Sequence, residues 1–127
     1  TMPNADNMGK VYREQLYLLK ETMRDKILLI ENFGKENYFS AMYYAGFLLG
    51  NTSSGIIEAA SFNKYVVNVG DRQKGRVQSS NIIDSKFNAV EIIKVFNKCL
   101  KSGIYKGENI YFQANSAKKI IQIINKL

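Results

Sequence analysis

The sequence predicts an α/β protein: a Rossmann-like parallel sheet with helices on both faces. The first observation behind this prediction is that short apolar runs alternate with segments whose apolar residues recur every three or four positions. Continuous apolar strands separated by helices are typical of parallel sheets that are covered on both faces. The second observation is that polar, glycine-containing segments, 50–55 and 70–77, follow two of the apolar runs. Ligand-binding loops occupy this place, at the carboxyl ends of parallel strands.

Four apolar runs have the length of strands and are too short for helices. They cover 26–30, 47–49, 65–69 and 81–84. The run 65–69 is the clearest strand, because it is rich in valine and tyrosine, which favour strands. Right-handed connections between parallel strands would bring the loops that follow them to one edge of the sheet.

Helical spacing predicts helices before, between and after these strands. The first covers about 7–23, and two more are expected at 37–45 and 56–62. Two helices close the chain. Their expected apolar faces carry Val90, Ile93, Phe96 and Leu100 in the first, and Ala117, Ile120, Ile121, Ile124 and Leu127 in the second.

The length and the net charge of the chain limit the classes of function that it could have. A chain of 127 residues fits one domain with one hydrophobic core. Its net charge of +7 favours an anionic partner, such as a phosphorylated small molecule, a nucleic acid or an anionic lipid, although a merely soluble surface would carry the same charge. No apolar run approaches the ~20 residues of a membrane span, so no membrane partner is expected.

The histidine and cysteine content excludes several kinds of chemistry. The chain has no histidine and one cysteine, Cys99. Histidine acid–base catalysis and an internal disulfide are therefore excluded within it, and we expect neither a metal site nor a cofactor. Cys99 falls in a helical pattern beside Phe96 and Leu100, which favours a core position over a nucleophile. A single thiol suits a reducing compartment, so a cytoplasmic protein is expected.

The segment Gly50-Asn51-Thr52-Ser53-Ser54-Gly55 is the strongest candidate for a ligand site. Its small residues let backbone N–H groups approach an anion, its three successive hydroxyls add donors, and the helix start adds partial positive charge. These properties suit a diphosphate. Plain helix capping is the alternative, since serine and threonine are preferred N-caps, but one cap requires only one hydroxyl.

Glu58 is a candidate for binding a ribose. It lies four residues after Ser54 and three after Gly55, hence on the same helix face. A carboxylate in this position can accept hydrogen bonds from both ribose hydroxyls. A favourable interaction with the helix dipole, worth ~0.3–1 kcal/mol, explains the spacing equally well.

The second loop, Gly70-Asp71-Arg72-Gln73-Lys74-Gly75-Arg76, carries three cations after a strand. The planar guanidinium of arginine matches phosphate oxygens with two hydrogen bonds, so Arg72 and Arg76 are candidate contacts to a phosphate or a sugar acid. Solvated loop charge is the alternative. The expected position of this loop beside the first, at one edge of the sheet, favours a shared pocket for a pyrophosphate.

The two loops and their surroundings resemble the C-terminal domain of hydrolysing UDP-N-acetylglucosamine 2-epimerases. The matching segments are Gly50-Asn51-Thr52-Ser53-Ser54-Gly55-Ile56-Ile57-Glu58-Ala59, Val67-Asn68-Val69-Gly70-Asp71-Arg72-Gln73-Lys74-Gly75-Arg76 and Asn81-Ile82-Ile83-Asp84. Near the start, Pro3-Asn4-Ala5-Asp6 matches the Pro-Asn-x-Asp loop with which that domain opens. The similarity therefore spans nearly the whole chain.

This resemblance implies a fold of the glycosyltransferase-B type, with the substrate held between two Rossmann-like halves, of which residues 1–127 would be the C-terminal one. It implies that Thr52, Ser53 and Ser54 bind the diphosphate, that Gly55 permits close approach, and that Glu58 holds the ribose. Arg72 would face the phosphates or the sugar and is a possible contributor to catalysis; Asn51 and Arg76 are further candidates.

The activity that the resemblance implies is elimination of UDP from UDP-N-acetylglucosamine, or a diamino derivative, and hydration of the resulting glucal to the free 2-epimer. Such sugars serve sialic and legionaminic acid synthesis. The expected partners are UDP or a UDP-sugar and an N-terminal domain of the same enzyme that this chain lacks, without which we expect no turnover. A homo-oligomer is compatible with the sequence.

Two departures from the family pattern are visible. Thr52 stands where serine is usual, which keeps the hydroxyl, and Ala60 stands where proline is common. A non-hydrolysing epimerase is disfavoured, because those enzymes usually carry Asp-Ser-Gly-Gly where this chain has Thr52-Ser53-Ser54-Gly55.

Three other interpretations remain open from the sequence. A glycosyltransferase of the same architecture would need an acceptor. A basic module that binds nucleic acid lacks the usual motifs here, so no nucleic acid is expected. A dimerising domain could use Tyr38, Tyr43 and Tyr44, although core packing is the preferred interpretation of these tyrosines.

Overall fold

The structure is a computed structural model that describes residues 9–126. The chain divides into two compact units, between Ala41 and Met42. Helix α1 (Gly9–Thr22) lies in the first unit, and helix α2 (Gly34–Tyr44) includes the division point. The Pro3–Asp6 motif, the first two residues of the predicted helix 7–23, and Leu127 lie outside the described residues.

The segment 26–30 in the first unit does not form the predicted strand. A turn closes at Lys26, whose backbone N–H donates to the carbonyl of Met23, and the following residues have no regular secondary structure. Leu28 is 77% exposed, while Ile27 and Leu29 are half-buried. A strand requires a neighbouring strand for its backbone hydrogen bonds. The apolar run therefore correctly indicated that this segment is partly buried, but it did not indicate that the segment pairs with another strand.

The second unit contains a three-stranded parallel sheet in the order β1-β2-β3. The strands are β1 (Leu48–Gly50), β2 (Val66–Val69) and β3 (Ile82–Ser85). Gly50, Asn68 and Asp84 stand in one row across the sheet. The prediction of an α/β, Rossmann-like fold is confirmed.

Helix α4 (Ala89–Ser102) packs on β2 and β3 and supplies two of the four buried residues of the hydrophobic cluster on this side of the sheet. Its buried residues Val95 and Cys99 join Val67 and Val69 of β2, with Phe47, Tyr65, Ile83 and Ile92 packed around them. The predicted apolar face was wrong for three of its four members, because Val90, Ile93 and Leu100 are exposed. Both faces of this helix carry apolar residues, so the sequence pattern alone did not select the buried one.

Cys99 occupies the core, as predicted. Burial raises the pKa of its thiol, and the nearby Lys98 opposes this only in part. A buried thiol with a raised pKa is a poor nucleophile, because the thiolate is the reactive form.

The predicted helix 56–62 is two shorter helices. Helix α3 (Ser53–Ile57) begins inside the first glycine-bounded loop, and a 3-10 helix (Ala59–Phe62) follows it. Glu58 caps the end of the first and the beginning of the second. Asn109 stabilises this junction, because its Nδ2 donates to the carbonyl of Ile57 and to Oγ of Ser61, at 2.9 Å and 2.7 Å.

Two apolar surfaces that were expected in the core are exposed. Tyr43 and Tyr44 pack edge to face against each other but are largely exposed, so core packing is wrong for these two. Helix α5 (Ser116–Ile124) has no buried residue. Within residues 9–126, every helix falls short of the length and apolar character that crossing a membrane requires.

Candidate functional site

The carboxyl ends of the three strands lie side by side at one edge of the sheet. Because all pairs are parallel, the chain leaves β1 after Gly50, β2 after Val69 and β3 after Ser85 on the same side. Both predicted loops therefore begin at this edge, as the sequence indicated. Ligands of open α/β sheets bind beyond this edge.

Thr52 forms the N-cap of α3. Its backbone is extended, and its hydroxyl accepts a hydrogen bond from the backbone N–H of Ser54 at 3.4 Å. Capping, the alternative role of this loop, is thus assigned to one of the three hydroxyls. Ser53 is exposed, and the buried Oγ of Ser54 has no hydrogen-bond partner within residues 9–126. Two hydroxyls therefore remain after the cap is made.

Gly55 is buried against the neighbouring strand. A Cβ at this position would lie 3.1 Å from Cγ1 of Val66 and 3.7 Å from Cγ2 of Thr52. The absence of a side chain therefore lets α3 approach β2 closely. This packing role was not anticipated; the expected approach of a phosphate to Gly55 stays a prediction.

Glu58 is half-buried at the junction between α3 and the 3-10 helix. Its backbone N–H donates to the carbonyl of Ser54, but its side chain makes no capping hydrogen bond. Since α3 ends at Ile57, the carboxylate stands at the C-terminal end of that helix, where the dipole does not favour negative charge. The same residue is the N-cap of the 3-10 helix, where the dipole does favour negative charge, so ribose binding and the dipole interaction both stay predictions for Glu58.

The second loop forms two overlapping turns. Lys74 N–H donates to the carbonyl of Asp71, and Arg76 N–H donates to the carbonyl of Gln73. Gly70 precedes the turns and Gly75 lies within the second, with φ of 75° and 83°, values that favour glycine. Arg72 and Arg76 are exposed, and among the residues that the structure describes neither guanidinium forms an ion pair or a hydrogen bond.

A hydrogen bond joins the two loops. Nε2 of Gln73 donates to the backbone carbonyl of Asn51 at 2.7 Å. Gln73 is a residue that the sequence interpretation missed, because an amide between two cations gives no sign that it is buried. The first loop and the second are thus adjacent, as a shared pocket requires.

A cavity of about 480 Å³ opens beside the second loop. Its lining includes Arg76 but none of the residues 51–58, and Arg72 does not line it. The lining residues come from β2, the second loop and the end of β3: Asn68, Gly70, Asp71, Lys74, Gly75, Arg76, Gln78, Asp84, Ser85 and Lys86. The structure thus brings Arg76 to this cavity and places the hydroxyl-bearing turn outside its lining.

Sequence reasoning also missed the pairing of Asn68 with Asp84. Nδ2 of Asn68 donates to Oδ1 of Asp84 at 2.7 Å. A sign was present in the sequence, because Asn68 interrupts an otherwise apolar strand. A buried amide requires a hydrogen-bonding partner, and the aligned residue of a neighbouring strand is the nearest place for one.

Comparison with known protein families identifies the family to which this chain belongs. The model of the family described as UDP-N-acetylglucosamine 2-epimerase matches residues 1–125. The chain belongs to the UDP-N-acetylglucosamine 2-epimerase family. The resemblance drawn from the two loops is confirmed.

Relatives of this epimerase chain agree with the assignment. It is 41% identical over 91 residues to a GDP/UDP-N,N'-diacetylbacillosamine 2-epimerase (hydrolyzing) from Campylobacter jejuni, covering 72% of this chain and 24% of that protein. It is 33% identical to a UDP-N,N'-diacetylbacillosamine 2-epimerase (hydrolyzing) from Legionella pneumophila, covering 98% of this chain and 33% of the relative.

The Polysialic acid biosynthesis protein P7 of Escherichia coli is 31% identical, over 95% of this chain and 32% of its own length. The chain therefore spans about a quarter to a third of the length of these relatives. The epimerase family is therefore established for this chain.

Proposed function

We propose that this chain is the C-terminal, UDP-binding domain of a hydrolysing UDP-sugar 2-epimerase. Membership of the epimerase family supports the class of substrate, and two relatives are named as hydrolysing enzymes. The observation that carries the proposal is the adjacency of the hydroxyl-bearing turn after β1 and the arginine loop after β2, joined from Gln73 to Asn51.

The turn after β1 binds the diphosphate in this proposal. Ser53 supplies an exposed hydroxyl, and Ser54 supplies a buried hydroxyl that has no other partner within residues 9–126. Thr52 caps the helix with its hydroxyl, and Asn51 lies immediately before these residues. Hydroxyl and backbone donors are well suited to phosphate oxygens. Arg72 and Arg76 add positive charge from the neighbouring loop, since neither is committed to an ion pair within residues 9–126.

Glu58 binds the ribose. Glu58 lies one helical turn beyond Ser54 and is half-buried, and its carboxylate makes no capping hydrogen bond. A carboxylate with free acceptor capacity can take a hydrogen bond from each of the two ribose hydroxyls. In this proposal Thr52 lies at the diphosphate end of the nucleotide and Glu58 at the ribose.

The reaction proposed for the full-length enzyme has two steps. In the first, the proton on C2 of the sugar is removed and the bond from C1 to the diphosphate oxygen breaks, which releases UDP and leaves a C1–C2 double bond. In the second, water adds a hydroxyl to C1 and a proton to C2 on the opposite face, which gives the free 2-epimer. The contribution of this chain is to stabilise the negative charge that develops on departing UDP.

The proton-transfer groups and the opposite wall of the cleft belong, in this proposal, to an N-terminal domain within a fold of the glycosyltransferase-B type. The greater length of the relatives supports a further domain. The sugar is N-acetylglucosamine or a diamino derivative, and the product serves synthesis of sialic or legionaminic acids. The names of the relatives, which refer to diacetylbacillosamine and to polysialic acid, support this range.

The test uses the full-length protein that contains this sequence. It is incubated with UDP-N-acetylglucosamine, and separately with UDP-N,N'-diacetylbacillosamine, without an acceptor. One equivalent of free UDP and one of free 2-epimer sugar per substrate consumed is the expected result. A sugar that is epimerised but still attached to UDP would indicate the non-hydrolysing activity. Turnover only after an acceptor is added would indicate a glycosyltransferase.

A further inference from the structure

Gln73 is buried in the middle of a charged, exposed loop. It is 3% exposed, whereas its neighbours Arg72 and Lys74 are exposed. Ordering and burying a glutamine side chain carries an entropic cost and removes its amide from water. The side chain must therefore gain a specific interaction in the folded protein.

That interaction is the hydrogen bond from Nε2 of Gln73 to the carbonyl of Asn51. Its length is 2.7 Å, and it joins residues 22 positions apart. The accepting carbonyl belongs to the residue that directly precedes Thr52, the N-cap of α3. Because the bond ends on backbone rather than on a side chain, it holds the path of the hydroxyl-bearing turn itself.

Two turn hydrogen bonds couple the backbone of the second loop to the position of Gln73. The turn bonds from Lys74 to Asp71 and from Arg76 to Gln73 are 3.0 Å and 3.2 Å long and tie the backbone on both sides of the amide. Arg72 is the residue directly before Gln73, so its backbone position is set by the same turns. A shift of Gln73 would therefore move Arg72 relative to Thr52.

We propose that Gln73 is a positioning residue of the nucleotide site, which sets the separation between the hydroxyl-bearing turn and Arg72. This inference rests on the proposed function, because it concerns the same site. Gln73 does not touch UDP in this arrangement. It acts through the Asn51 carbonyl, and its loss weakens UDP binding by letting the two loops move apart.

The test replaces Gln73 by methionine in the full-length protein. Gln73→Met has a similar length and cannot donate to the Asn51 carbonyl. Gln113→Met is the matched control, because Gln113 is exposed and lies far along the chain from both loops. UDP is titrated by calorimetry into each variant well below its unfolding temperature. We expect the Kd of Gln73→Met to rise about five- to tenfold, from the loss of one hydrogen bond, and that of the control to stay unchanged.

A double-mutant cycle with Arg72→Ala separates positioning from general stabilisation. If Gln73 sets the place of Arg72, the effect of Arg72→Ala on Kd is smaller in the Gln73→Met background than in the unmodified protein. If Gln73 only stabilises the fold, the two effects on Kd do not interact. Should Gln73→Met be too unstable to titrate, Gln73→Asn takes its place, since it keeps the amide but is one methylene shorter.

The outcomes distinguish this inference from the function on which it rests. Absence of UDP binding by the unmodified protein overturns the proposed function. Binding of UDP that Arg72→Ala weakens, while the Gln73 variant binds like Gln113→Met, overturns the positioning role alone. Additive effects in the cycle also overturn it.

Discussion

Asn68 on β2 and Asp84 on β3 are register partners whose side chains meet across the sheet, with Nδ2 of Asn68 donating to Oδ1 of Asp84 at 2.7 Å. Asn68 is 2% exposed and is the polar residue of an otherwise apolar central strand. The bond orients the amide, because a carboxylate accepts and does not donate. Both residues line the cavity beside the second loop, so the pair also shapes the carboxyl edge of the sheet.

The substitution Asn68→Asp is expected to destabilise the protein strongly. It would put a carboxylate at the buried position 68, beside the exposed Asp84, so that the new charge is desolvated and a favourable bond becomes a repulsion between like charges. The free energy of unfolding at pH 7 should fall by about 3 kcal/mol, as urea unfolding would measure. Asn97→Asp, on the exposed side of α4, is the control and should change it by less than about 0.5 kcal/mol. Equal urea unfolding midpoints for Asn68→Asp and Asn97→Asp would contradict the expected repulsion at position 68.

Gly55→Ala is expected to loosen the contact between α3 and β2. The added methyl group would lie 3.1 Å from Cγ1 of Val66, closer than ordinary contact, and the valine is itself buried. We expect a loss of about 1–3 kcal/mol in the free energy of unfolding. Gly46→Ala is the matched control for Gly55→Ala, because a methyl group at position 46 would meet nothing within 4 Å. The packing role is wrong if both variants unfold at the same temperature.

Arg72→Ala and Glu58→Ala are expected to weaken UDP binding while leaving the fold intact. Each removes hydrogen bonds in which one partner is charged, and each should raise the Kd for UDP about tenfold or more. Calorimetry or NMR shift perturbation gives the affinity, and thermal unfolding checks the fold. The exposed Arg24→Ala and Glu108→Ala serve as controls of equal charge change. Unchanged affinity in both site variants would remove the site assignment.

Cys99 is expected to react slowly with thiol reagents in the native protein. Burial raises the pKa of its thiol, so the fraction of reactive thiolate at pH 8 is smaller than for a free cysteine. Labelling followed by mass spectrometry should proceed slowly in buffer and rapidly in denaturing urea. Because the pKa is raised, native labelling should keep accelerating as the pH rises through and beyond the ordinary titration range of a thiol, where the labelling rate of a free cysteine levels off. Fast labelling of the folded protein at neutral pH would place Cys99 at the surface.

Sequence patterns located much of the second unit. The run 65–69 became β2, 47–49 became β1 with a shift of one residue, and 81–84 became β3 with the same shift. The segment 26–30 had the same apolar character and yet formed no strand. The difference is that a strand depends on a partner for its backbone hydrogen bonds, and partners are not encoded in a local run.

The sequence by itself determined the chemistry present at the carboxyl edge: three hydroxyls with flanking glycines after one strand, and two arginines after the next. That information is local, because residue type and spacing after a strand suffice to predict it. Only the tertiary structure decided that Gln73 turns inward to Asn51, that Asn68 pairs with Asp84, and that Gly55 serves packing against Val66. Each of these depends on which backbone or side-chain atoms meet across separate strands and loops, and folding alone brings such distant segments together.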